Sequence, residues 1–208
     1  MEIIPENLNK LISFFIKLPG IGPRQASRLS FFVAHYQPKT LQELAKLFWN
    51  ISQKIKVCDN CYFIFEAQNK DQHLCPICLD KDRDHKTICV IEKDTDLISI
   101  EKTNKFKGEY HILGGLLSSV DVKKEMKLTI KQLLNKIKKS IQQNDSIEEV
   151  ILALNPTAEG HLTSLYLKKL LEPYKIKVTQ LGIGIPYGSE IEFADPDTLA
   201  EALKKREP

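Results

Sequence analysis

Cys58-Asp-Asn-Cys61, thirteen residues, then Cys75-Pro-Ile-Cys78: at this stretch the chain changes from one kind of sequence to another. Before it, apolar residues recur at helical period; after it, short apolar runs alternate with amphipathic segments. Each half is a C-x-x-C, a spacing that lets two thiolates of one tight turn reach the same ion, and two such turns complete a tetrahedron. Four sulfurs leave no position open for water or substrate. The spacing therefore predicts one structural zinc ion held by Cys58, Cys61, Cys75 and Cys78. The other reading is two disulfide or redox pairs. Against it, the first residues lack a basic region followed by an apolar run and a small-residue cleavage site, and a reducing, cytoplasmic setting is expected. His73 and His85 offer alternative ligands, and Cys89, inside an apolar run, is expected as a buried strand residue.

On the N-terminal side, Leu8, Leu11, Ile12, Phe15 and Leu18 fall on one helical face, and Pro19 should end that helix. The turn Pro19-Gly-Ile-Gly-Pro23 follows, and a second helix carries Ala26, Leu29, Phe32, Val33 and Tyr36. Two short helices joined in this way form a helix-hairpin-helix pattern. Gly20, Ile21 and Gly22 let the main chain come close to a phosphate, and the next helix offers it unpaired N–H groups and partial positive charge. Arg24 and Arg28, one turn apart, can flank that phosphate. These five residues are the candidate DNA contact, of a kind that grips backbone without reading bases. A glycine-rich connector with solvated arginines is the structural alternative. A third helix is expected from Leu41 to Lys56, with a Thr40–Glu43 capping box, a buried stripe of Leu41, Leu44, Phe48, Ile51 and Ile55, and Trp49 partly in the core.

Beyond the cysteines, Tyr62 to Phe65 reads as a strand and Lys81 to Lys86 as a solvated connector. Strands are expected at Ile88–Ile91, Tyr110–Leu113, Val150–Leu154 and Ile176–Leu181. Helices are expected between them: one capped by Asp94, one around Met126 to Gln143, and one following Asn155-Pro-Thr-Ala-Glu-Gly160. Lys131, Lys136, Lys138 and Lys139 form a basic face on the second of these, either solvated or touching phosphate. Strict alternation implies a parallel sheet, with Glu92 and Asn155 to Glu159 at the carboxyl ends of strands lining one crevice. The chain thus divides into a helical region (1–56), a zinc finger (57–80), an α/β domain (81–180) and a tail (181–208).

With 208 residues and 42% apolar composition the chain can bury a core; its net charge of +3 neither demands nor excludes nucleic acid. No apolar run approaches membrane-spanning length. Gly182-Ile-Gly-Ile-Pro-Tyr-Gly188 lacks the lysine of a phosphate loop, and Ser189 to Asp195 is expected as a turn and edge strand, with a weak likeness to an ATPase acidic strand.

Together these motifs resemble the RecR family of bacterial recombination mediators: Leu18-Pro-Gly-Ile-Gly-Pro23, the four cysteines, Ile88-Cys-Val-Ile-Glu92, Asn155-Pro-Thr-Ala-Glu-Gly160 and Gly184-Ile-Pro-Tyr-Gly-Ser-Glu-Ile-Glu192. The resemblance spans the whole chain. It implies that the α/β domain is a Toprim domain, the type also found in topoisomerases, primases and some nucleases. An active Toprim site pairs a glutamate after its first strand with an Asp-x-Asp later, and these carboxylates hold Mg²⁺. Glu92 fills the first place, but Asn155 and Thr157 stand where the aspartates would be. The resemblance therefore implies no catalysis, with a metal-dependent nuclease or phosphotransferase as the competing reading and a zinc-dependent adaptor as a third. It also implies a homodimer or homotetrameric ring that can encircle duplex or gapped DNA, with the tail in subunit contacts. RecO, and in many members RecF, would be partners in loading RecA onto single strands covered by SSB. On this reading Glu92 and Glu159 offer acidic contacts to a basic partner.

Overall fold

The computed structural model describes residues 3–118, 128–143, 146–182, 184–185, 187–204 and 206. They form two compact units, Met1–Ile55 and Lys56–Pro208. In the first, α1 (Glu6–Phe15) packs against α2 (Pro23–Ala34), and α3 (Pro38–Lys54) follows. α1 ends three residues before Leu18, because the N–H groups of Lys17 and Leu18 turn back to the carbonyls of Phe14 and Phe15. α2 and α3 both begin with proline at the first helical position, where a missing N–H costs nothing.

That start overturns two expectations for α3. The helix begins at Pro38, so Thr40 and Glu43 lie inside it and no side chain caps it. Its apolar stripe is also not buried: no residue of α3 is, and Phe48, Trp49 and Ile51 are more than half exposed. Amphipathic period shows that a face wants cover without showing what covers it.

β1 (Ile55–Val57) starts at the last residue of the first unit and pairs with β2 (Ile64–Glu66) in a two-stranded ribbon, followed by the short α4 (Pro76–Leu79). Tyr62 and Phe63 are not part of a strand: Tyr62 has a φ of 68°, the left-handed region that breaks an extended run. Then come β3 (Asp84–Ile91), α5 (Asp94–Glu101), β4 (Gly108–Ile112), α6 (Ile130–Gln142), β5 (Glu149–Ala153), α7 (Ala158–Leu171) and β6 (Lys177–Gln180). The four longer strands pair in parallel in the order β4-β3-β5-β6, with Cys89 beside both Tyr110 and Ile151. The expected mixed α/β architecture with a parallel, helix-flanked sheet is what forms. Met126, the expected start of the helix that became α6, lies outside the described residues.

Alternation along β3 divides the core. Ile88 and Val90 face a layer built from Leu133 and Ile137 of α6 and Leu167 and Leu171 of α7. Cys89 and Ile91 face the other way, onto Leu97 of α5 and onto Cys58, Cys61, Phe65 and Cys75. The cysteine knuckle thus does the work of a helix: it covers one face of the sheet, and the Ile112 N–H donates to the Cys61 carbonyl at 2.9 Å.

Two connectors differ from expectation. Asp84 to Lys86 belong to β3, and Arg83 beside them is buried rather than solvated, its side chain only 8% exposed. Asp94 does not cap α5: Asp96 accepts from the Lys93 N–H at 3.1 Å, while Asp94 takes the N–H of Ile64 at 2.9 Å. In the tail no strand forms among the described residues; Ile191–Phe193 is a single 3-10 turn, and α8 (Pro196–Lys204) closes the chain. Among the described residues no helix is long and apolar enough to cross a membrane.

Candidate functional site

Two tight turns bring the cysteines together. The Tyr62 N–H donates to the Cys58 carbonyl at 3.0 Å and closes the first; Cys75 opens α4, and the Leu79 N–H donates back to its carbonyl at 3.1 Å. The four ligand atoms lie within 4.8 Å of one another, and the sulfurs of Cys61 and Cys75 are 3.5 Å apart. A tetrahedral zinc with sulfurs at about 2.3 Å places them about 3.8 Å from each other, so the donor set and its size suit that ion. Cys58, Cys61 and Cys75 are wholly buried; Cys78 alone is partly exposed.

Electrostatics asks for a cation here. Four thiolates cannot share so small a buried space without a positive ion to balance them. Neither histidine joins them: His73 lies 3.4 Å from Asp59, and His85 is committed to Glu109 at 2.6 Å. Cys89 is buried in β3, and burial pushes its thiol up to about 12.

In the first unit, Gly20 has a φ of 77°, the left-handed conformation that favours glycine. Gly22 is in ordinary extended geometry as the N-cap of α2. A Cβ on either would meet nothing within 4 Å, so the space above the turn is open. Arg24 and Arg28 are exposed on the first turns of α2, and Ile21 is half-buried. The turn, the helix start and both guanidinium groups sit on one short segment.

The crevice at the strand ends is arranged differently from a row of carboxylates. The Asn155 side-chain amide donates to Glu92 Oε2 at 2.7 Å. Thr157 caps α7, its hydroxyl accepting from the Gly160 N–H at 3.1 Å. Glycine at 160 is required by packing, since a Cβ there would lie 1.9 Å from the Asn155 carbonyl oxygen. Glu159 is exposed, and its carbonyl accepts from Thr163 Oγ1 at 2.7 Å.

A polar cluster beside the knuckle was not visible in the sequence. Glu109, 8% exposed on β4, accepts from Lys136 on α6 and from Asn60 at 3.3 Å, and bonds His85 at 2.6 Å. Burial pushes its carboxyl up, but the Lys136 charge and these hydrogen bonds outweigh that and hold it below the usual range. Lys136 is therefore an ion-pair partner and not part of a solvated basic face. The cluster borders a cleft of about 450 Å³ that also touches Asp59, Tyr62 and Lys139. The one available signal was a glutamate directly preceding an apolar strand run.

Comparison with known proteins agrees with this architecture. A family model described as Toprim domain matches residues 86–182, and one described as RecR, C-terminal, matches residues 184–207. Recombination protein RecR of Myxococcus xanthus strain DK1622 is 39% identical over 203 residues, covering 97% of this chain and 98% of the relative. That of Chloroherpeton thalassium is 40% identical over 206 residues, covering 99% and 98%. That of Desulfitobacterium hafniense strain DCB-2 is 39% identical over 202 residues, covering 97% and 96%.

Proposed function

The chain belongs to the RecR family, and on that premise we propose that it is a non-enzymatic, DNA-binding mediator of recombinational repair. It acts with RecO, and with RecF where that protein is present, to load RecA onto single-stranded DNA covered by SSB. The observation that carries the non-enzymatic part is the 2.7 Å bond from the Asn155 amide to Glu92. The place where a Toprim enzyme gathers carboxylates for Mg²⁺ holds one carboxylate hydrogen-bonded by a neutral amide, next to a threonine already used as a helix cap. Glu92 and Glu159 serve instead as acidic contacts for a basic partner.

DNA is held at Gly20, Ile21, Gly22, Arg24 and Arg28. The open space above the turn admits a phosphate, the start of α2 supplies N–H groups and partial positive charge, and the two arginines add counter-charge. Binding of this kind is indifferent to sequence and suits duplex or gapped DNA alike. Cys58, Cys61, Cys75 and Cys78 hold a single structural zinc, which adds no chemistry of its own to the DNA. The uncovered apolar faces of α3 and of the tail, with Phe48, Trp49, Ile191 and Phe193 all more than half exposed, are the surfaces through which copies join as a dimer or a tetrameric ring. The working place is the cytoplasm, on the nucleoid.

One set of measurements on the purified protein tests this. Gapped duplex should be bound at low salt with little sequence preference, light scattering should report a dimer or tetramer, and Mg²⁺ or Mn²⁺ should leave the DNA intact. Divalent-dependent nicking that disappears in Glu92→Ala would establish the nuclease reading instead. Failure to bind any DNA at low ionic strength would refute the mediator.

A further inference from the structure

We infer that Asn60 is a positioning residue of the metal centre, its side-chain amide capping the sulfur of Cys78 and anchoring it to Glu109 on β4. The inference rests on the reading that the four cysteines hold zinc. The amide nitrogen lies 3.4 Å from Cys78 Sγ and 3.3 Å from Glu109 Oε2. An amide carries two N–H groups, one for each acceptor.

Two independent features give this geometry a purpose. Of the four cysteines, only Cys78 reaches the surface, so its sulfur is the one that protons, chelators and oxidants meet first. The donor lies on that sulfur. Glu109, in turn, is fixed from two other elements, by His85 on β3 and Lys136 on α6, and its side chain is only 11% exposed. Asn60 is therefore held by a rigid acceptor and is not free to swing away.

An N–H donated to a metal-bound thiolate draws charge from the sulfur, which lowers its basicity and its nucleophilicity while keeping it oriented toward the ion. An aspartate at this position has no donor and would set a negative charge against both the thiolate and Glu109. Asparagine therefore does something at residue 60 that a merely solvated linker residue would not.

The intact native protein, loaded with NMR-active cadmium in place of zinc, should show a through-sulfur correlation from the metal to the Asn60 side-chain amide protons. Its absence, when other knuckle N–H groups do correlate, would overturn the inference, and this test needs no variant. Asn60→Asp and Asn60→Ala, checked for native circular dichroism, should release zinc to a competing chelator about 10- to 100-fold faster than native protein. Native-rate release from Asn60→Asp would overturn the role of Asn60 while leaving the zinc reading intact. A native protein that takes up no zinc would refute the zinc reading itself.

Discussion

Arg83 sets both terminal nitrogens on the carboxylate of Glu101, Nη2 at 2.6 Å from Oε2 and Nη1 at 3.1 Å from Oε1. Nη1 also reaches the Gly108 carbonyl at 3.0 Å, and the Tyr110 hydroxyl donates to Glu101 Oε1 at 2.7 Å. One ion pair thus joins the start of β3, the end of α5 and β4. Removing one partner strands a charge on a side chain that is 8% exposed. Glu101→Ala should cost about 3 kcal/mol, read as a lowered urea midpoint, whereas Asp80→Ala, at the looser 3.7 Å contact with Arg83, should cost far less.

His111 is wholly buried, and desolvation, with the nearby Lys136 charge, pulls it down to about 3. Its Nε2 lies 2.8 Å from Thr129 Oγ1, whose own proton goes to the Ile112 carbonyl at 2.6 Å. The imidazole is neutral when folded and titrates near 6.5 when unfolded. Its share of stability is therefore complete above pH 6.5 and declines as pH falls toward 3, by up to about 1.4 kcal/mol per pH unit. Urea titrations at descending pH should show a shallower loss in His111→Gln than in the native protein.

Arg24→Ala combined with Arg28→Ala should weaken binding about equally for unrelated DNA sequences. The salt dependence of log K should flatten by roughly 1.8, two phosphate contacts at about 0.9 each. Fluorescence anisotropy across a salt series measures both. An unchanged slope would remove the arginines from the interface.

Asn155→Asp replaces the amide donated to Glu92 with a second carboxylate at 2.7 Å. Repulsion at this exposed position should destabilise the fold by up to about 1 kcal/mol at neutral pH, and added Mg²⁺ should restore part of that loss in the variant but not in the native protein. Thermal melts with and without Mg²⁺ decide it.

Stripping the metal with a chelator under reducing conditions should do more than unfold a surface knuckle. Cys58, Cys61 and Cys75 pack with Cys89, Ile91 and Tyr110, so losing the ion should uncover one face of the sheet. The expected result is dye binding to exposed apolar surface and faster amide exchange along β4. Exchange confined to residues 58–78 would contradict this.

Much of this was legible in the chain. The paired C-x-x-C spacing identified four residues that the fold brings within 4.8 Å, because ligand spacing in a tight turn is a local property. Strand and helix order was legible for the same reason: the period of apolar residues is set by neighbours along the chain. Errors arose where a local pattern met a distant partner. Lys136 looked like one of four solvated lysines until Glu109 on β4 came to it, and Arg83 looked like a connector until it reached Glu101. Trp49 looked half-buried because helical period cannot say whether a face is covered.

The sequence by itself determined the cysteine set, the Gly20 turn leading into α2 and the parallel α/β order, all carried by residues close together in the chain; that Asn155 and Thr157 stand where an active Toprim site has aspartates came from the family resemblance. Only the tertiary structure decided that the knuckle forms a layer of the sheet's core, that Asn155 donates to Glu92, and that Asn60 links Cys78 to Glu109. Those contacts join residues as far as 63 positions apart, and the strand register that creates them depends on burying both faces of the sheet at once, which no single segment encodes.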